Sequence, residues 1–124
     1  MSDSGSSRPA SAECVFCRIS RGEIPATVVH EDEDLLVFED LNPQAPTHLL
    51  IIPRAHVASV DDLHDGERDL VGGLILAARD VARSQGVAED GYRLVANTGR
   101  DGGQTVDHLH VHLLAGRPLS WPPG

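Results

Sequence analysis

Apolar and polar positions change places in short runs along most of this chain, with one long exception. Thr27–Glu31 (TVVHE) and Leu35–Asp40 (LLVFED) are rich in β-branched and aromatic residues and are separated by the polar triplet DED, which predicts a β-hairpin. His48–Pro53 (HLLIIP) reads as a third strand closed by proline, and Tyr92–Asn97 (YRLVAN) and His108–Ala115 (HLHVHLLA) as two more. The exception is Asp65–Gln85. There Leu70, Leu74, Ala77, Ala78 and Val81 recur at helical spacing on one face, and Gly86 supplies the stop. Upstream, CVFCRISRG predicts a short helix ended by Gly22 before Pro25. Hairpin-like spacings in the order α-β-β-β-α-β-β predict an α+β domain, an antiparallel sheet of about five strands covered on one side by the long helix. Gly72 and Gly73 inside that helix cost about 1 kcal/mol each. They mark either tolerated weakness or the close approach of another backbone, such as a partner subunit.

Composition narrows the function classes. The chain has 124 residues and a formal net charge of −9 at pH 7. So acidic a domain is unsuited to general nucleic-acid binding, which needs clustered Lys and Arg against phosphates. Residues 1–12 are Ser-rich with no apolar core, which predicts a disordered tail rather than a targeting signal, followed by one domain over 13–124. No apolar run reaches membrane-span length, so the expectation is a cytoplasmic protein without a membrane partner.

The chemistry concentrates in two short motifs. The only two cysteines, Cys14 and Cys17, form a C-x-x-C, which suits either half of a metal site or a redox pair; the polar segment before it disfavours the redox arrangement. Three of the seven histidines occupy alternate positions, His108, His110 and His112. In a strand these share one face, while Leu109, Val111 and Leu113 share the other. One metal ion cannot easily take all three, because neighbours stand roughly 6.6 Å apart and the outer pair about 13 Å. The three should therefore divide their labour. A neutral imidazole is a nucleophile near pH 7, and a second can hold or protonate phosphoryl oxygens. Just upstream, GRDGGQT offers glycines at 99, 102 and 103 that can turn backbone N–H groups toward an anion, with the Thr105 hydroxyl beside them.

HLHVHLL resembles the signature of the histidine triad superfamily, His-φ-His-φ-His-φ-φ with φ apolar. The resemblance extends through FCRISRGEIPA, EDLNPQAPTHLLIIPRAH and GYRLVANTGRDGGQT to the terminal WPPG, nearly all of 14–124. NPQAPTH and WPPG are similar to the Hint branch, the purine nucleoside phosphoramidases. That resemblance implies hydrolysis of adenosine or guanosine 5′-phosphoramidates to the monophosphate and an amine, through a nucleotidyl-histidine. The alternatives within reach are a dinucleoside polyphosphate hydrolase and a non-catalytic nucleotide- and zinc-binding module.

The resemblance also assigns residues. It makes His110 the nucleophile, His112 the phosphate contact that assists the leaving amine, and His48 the histidine beside them. Asn97 and the Gly103–Gln104–Thr105 turn are expected to bind phosphate, Thr105 standing where Ser is more usual. Asp40 is expected on the ribose hydroxyls, and Phe16, Ile19, Ile24, Phe38 and Leu41 around the base. Glu39 departs from the His common in animal relatives. Cys14, Cys17, His56 and His108 are implied as ligands of one structural zinc per chain, a closed two-thiolate, two-imidazole set. Members of the branch are homodimers, and Trp121 is expected to reach the partner's site. His30 and His64 are left as surface residues.

Overall fold

The computed structural model describes residues 13–124, so the expected tail lies outside the described residues. Helix α1 (Val15–Ser20) begins at Cys14, whose Sγ caps it by accepting the Cys17 N–H at 3.4 Å. Then follow β1 (Val28–Glu31), β2 (Leu35–Glu39), β3 (Thr47–Pro53), the long helix α2 (Arg68–Ser84), β4 (Tyr92–Val95) and β5 (Val111–Ala115). The strands form one sheet in the order β1-β2-β3-β5-β4, and every neighbouring pair is antiparallel. This is the α+β architecture that the hydropathy pattern predicts.

The central strands are apolar without interruption because both faces of the sheet are covered. Leu35, Val37, Leu49 and Ile51 face α2, which adds Leu74, Ala77, Ala78, Val81 and Ala82 to the main core. Leu36, Phe38, Leu50 and Ile52 point the other way and meet Phe16, with Ile19 against them. The expectation of a sheet covered on one side is corrected accordingly: α1 closes part of the second face over a smaller core. Burying a side chain such as Leu74 contributes about 1.5–3 kcal/mol, so the helical face predicted from spacing is what docks α2.

Boundaries move where local hydrogen bonds compete. Asp65–Glu67 is a 3₁₀ turn rather than the first turn of α2, because the buried Glu67 carboxylate accepts the His64 N–H at 2.7 Å and tightens the chain there. Within the chain neither helix glycine is forced: a Cβ on Gly72 would meet nothing within 4 Å, and one on Gly73 only the Leu35 side chain at 3.9 Å. The strand expected from His108 starts instead at Val111. Leu109 N–H leaves the ladder to reach Val57 O at 2.6 Å, yet the side-chain alternation persists, with Leu109, Val111 and Leu113 all in the main core. β4 stops at Val95, so Asn97 lies past its end.

Candidate active site and metal centre

The face of β5 opposite the main core carries a chain of imidazoles. His48, on β3 opposite Leu114, places Nε2 2.9 Å from His112 Nδ1. Its own Nδ1 accepts the Gln44 N–H at 3.0 Å, so the His48 proton sits on Nε2 and points at His112. His112 therefore accepts at Nδ1 and carries its proton on Nε2. The Asp40 carboxylate stands 3.4 Å from the same His48 Nε2 and accepts the Asn42 N–H at 2.8 Å. Burial lowers the pKa of His48, and it pushes that of His112 down to about 4, aided by His110 and His48 against a smaller opposing pull from Asp40. His110 is fixed by a different bond. Its Nδ1 lies 2.6 Å from the His108 carbonyl, which can only accept, so Nδ1 donates and Nε2 keeps its lone pair. The ring packs edge-on against Phe16 at 5.1 Å and against His112 at 4.9 Å between centroids.

His110 and His112 border a cavity of about 240 Å³. Its walls include Phe16, Ile19, Phe38, Asp40, Leu41 and Thr105, all singled out from the sequence. Val15, Pro25, Ala26, Leu50 and Val106 also line it and were not anticipated; their only sequence signal is a place one or two positions from an expected residue. Ile24, Asn97 and Trp121 do not line it. Pro25 and Ala26 take the wall expected of Ile24, and Trp121 is 83% exposed, beyond the point where Arg93 holds Ser120 O at 2.8 Å. A larger groove of about 450 Å³ lies against α2 on the other face, but Asp32, Asp34, Asp69 and Asp80 line it and would repel a phosphate.

The glycine turn differs from expectation in detail. Gly103 N–H donates to Arg100 O at 3.1 Å and Gln104 N–H to Gly99 O at 3.0 Å, so the turn itself consumes both amides. The Gln104 side chain is also committed: Oε1 accepts the Gly99 N–H at 2.9 Å, and Nε2 donates to Ala58 O at 2.7 Å and Val106 O at 3.0 Å. Gly103 and Gln104, both expected at the phosphate, have these groups engaged within the protein. Of the three expected turn residues, only Thr105 lines the cavity.

On the other side of His110, four residues converge. Cys14 Sγ lies 3.3 Å from His108 Nδ1, and Cys17 Sγ lies 3.4 Å from His56 Nδ1 and 3.5 Å from His108 Nδ1. A tetrahedral zinc with ordinary Zn–S and Zn–N bonds needs S···N edges of about 3.6 Å, close to those found. His108 Nε2 donates to Pro53 O at 2.8 Å, which leaves the Nδ1 lone pair aimed at the thiols. The four donors can hold a metal ion, and two thiolates with two imidazoles suit zinc. The triad thus divides as the spacing requires: His108 faces the cysteines, His110 and His112 the cavity.

An antiparallel sheet that delivers alternate imidazoles to a Cys/His centre and to an apolar cavity defines a histidine-triad protein. The HIT domain family profile matches residues 21–119, and the chain belongs to that family. It is 48% identical over 107 residues to the purine nucleoside phosphoramidase of Escherichia coli K12, covering 86% of this chain and 90% of that protein. Among solved structures, a HIT family hydrolase from Legionella pneumophila Philadelphia 1 superposes with a TM-score of 0.89 at 52% identity, covering 90% of this chain and all 100% of that one. A zinc-bound histidine triad family protein from Mycobacterium smegmatis gives 0.75 at 32% identity, over 85% of this chain and 76% of that one.

Proposed function

We propose that the protein is a purine nucleoside phosphoramidase. The observation that carries this reading is the His110 ring: Nδ1 is tied to a backbone carbonyl, so Nε2 is the nucleophilic nitrogen, and the ring borders a cavity with apolar walls and an acid at its rim. Phe16, Ile19, Phe38 and Leu41 offer a slot for a purine, with few polar groups to separate adenine from guanine. Asp40 stands at the rim to accept ribose hydroxyls. The Thr105 hydroxyl and its backbone N–H receive phosphoryl oxygens.

His110 Nε2 attacks the α-phosphorus and forms a P–N bond as the bond to the leaving nitrogen breaks. That nitrogen leaves as a free amine, taking up a proton relayed from solvent through His112 Nε2. Water then attacks phosphorus, its proton returns to solvent, and His110 is released with the nucleoside monophosphate. A zinc ion held by Cys14, Cys17, His56 and His108 would supply a rigid anchor for α1 and for the backbone before His110, since all four of its positions are filled.

The functional unit is a homodimer in this reading. β4 pairs with β5 on one edge alone, leaving Tyr92–Val95 open to a second sheet, and Ile75 and Leu76 of α2 are 44% and 50% exposed. Light scattering should then give twice the 13.3 kDa chain mass. In such a dimer Trp121 has a partner's cavity to contact. Among the described residues no helix is long and apolar enough to cross a membrane, and two thiols outside any disulfide, poised as ligands, suit the reducing cytoplasm.

The test is turnover of adenosine 5′-phosphoramidate to adenosine monophosphate, followed by phosphorus NMR beside diadenosine polyphosphates. Greater kcat/KM on the phosphoramidate supports the reading. Preference for the polyphosphates reassigns the substrate class, and tight monophosphate binding with no turnover of either leaves a nucleotide- and zinc-binding module.

A further inference from the structure

The three residues after Arg54 and Ala55, His56–Val57–Ala58, touch three separate parts of the site. The His56 ring meets Cys17 Sγ at 3.4 Å in the Cys/His centre. Val57 O takes the Leu109 N–H at 2.6 Å, between the centre's His108 and the cavity's His110. Ala58 O takes a Gln104 side-chain hydrogen at 2.7 Å. Gln104 spends its other amide hydrogen on Val106 O and its oxygen on the Gly99 N–H, while its backbone N–H closes back on Gly99 O. Both donor hydrogens are used, and none is left for a ligand.

We propose that Gln104 is a positioning residue that fastens the glycine turn to the metal-binding strip, so that metal retention and anion binding reinforce each other. The turn is otherwise weakly held. Gly99, Arg100, Asp101 and Gly102 are exposed, and among the described residues Arg100 pairs with its neighbour Asp101 at 3.0 Å, both about nine-tenths open to solvent. A strip anchored at one end by a metal ion and at the other by Gln104 gives that turn a fixed reference. An anion that orders Thr105 and Val106 orders Gln104, which precedes Thr105 and bonds Val106 O, and through Ala58 O it steadies the His56 arm. Linkage requires the reverse effect to be equal.

The metal arm of this inference is independent of the nucleotide reading; the anion arm rests on it. Both are read with the full, cobalt-loaded chain by the rate at which a chelator removes the ion, followed in the visible Co²⁺ bands. Gln104→Met keeps the side-chain length and removes all three side-chain hydrogen bonds, of which the one to Ala58 O reaches the metal-binding strip. It should lose cobalt about fivefold faster than the parent, the factor that one lost hydrogen bond supplies. Leu74→Ala, in the core against α2, controls for general destabilisation: compared at equal distance below each Tm, it should lose cobalt at the parental rate. Adenosine monophosphate should slow the loss about fivefold or more in the parent and not in Gln104→Met. If Gln104→Met fails to fold, Gln104→Glu, which keeps the acceptor for Gly99 but cannot donate to Ala58, should show the same fast loss. Parental rates in both Gln104 variants, or equal acceleration by Leu74→Ala, overturn the fastening. Monophosphate that binds the parent without slowing the loss overturns the coupling. Monophosphate that fails to bind at all removes the nucleotide reading and the anion arm with it, and the metal arm is still decided.

Discussion

His112 and His110 are two positions apart and are set to opposite hydrogen-bonding roles by their neighbours. The His108 carbonyl makes Nδ1 of His110 a donor, and the His48 Nε2–H makes Nδ1 of His112 an acceptor. Replacing His110 by Ala removes the only nitrogen assigned to attack, and kcat should fall by about three orders of magnitude with the substrate still bound. His112 yields a pH prediction with a definite sign. Its pKa is lowered from 6.5 to about 4 by burial, so below pH 6.5 the unfolded chain takes up the proton that the folded ring refuses. Its contribution to stability is complete above pH 6.5 and is lost as pH falls toward 4. Proton NMR should find the His112 titration near pH 4, and thermal melts should show His112→Gln losing less Tm than the parent over that window. A His112 midpoint near 6.5 would contradict the buried, His48-bonded geometry.

Among the elements, the glycine turn has the least room for an added side chain. A Cβ on Gly102 would collide with Thr98 O and lie 2.9 Å from Thr98 N, closer than atoms tolerate. Gly102→Ala must therefore move backbone, at a cost of about 1–3 kcal/mol. Because the turn leads directly into Thr105 and Val106 at the cavity wall, the same change should raise KM more than it lowers kcat. Calorimetric Tm and steady-state kinetics together check both halves. The other elements were legible to different depths. Short apolar and β-rich runs located all five strands and helical spacing located α2, since those patterns follow from which faces are buried. Strand ends were not legible: the sequence puts β5 at His108, but the Leu109 N–H finds Val57 O, a residue 52 positions away. No local pattern encodes that competition.

At the scale of the molecule, the sheet works as a partition. One face buries the α2 core, and the other carries the smaller core, the cavity and the Cys/His centre. The centre joins α1, the segment after β3 and the approach to β5. Cys17→Ser removes one of two sulfur donors from a fully buried position. Metal content of the purified protein should drop from about one ion per chain toward zero, and Tm by about 10 °C, the shift that roughly 2 kcal/mol produces in a domain of this size. Elemental analysis and a melting curve decide it, and unchanged metal content would mean the ion sits elsewhere.

By itself the sequence determined the element types, the shared core-facing side of Leu109, Val111 and Leu113, and the separation of the triad into unequal roles. Those properties follow from periodicity and from the rise of an extended chain, which act over a few residues. Only the tertiary structure decided which groups are free to act. Gln104 and the Gly103 amide look available in the sequence and are consumed by Ala58, Val106, Gly99 and Arg100, whereas His110 keeps one nitrogen free because a single carbonyl claims the other. Hydrogen-bond valence is shared among segments far apart in the chain, and it is settled when they pack.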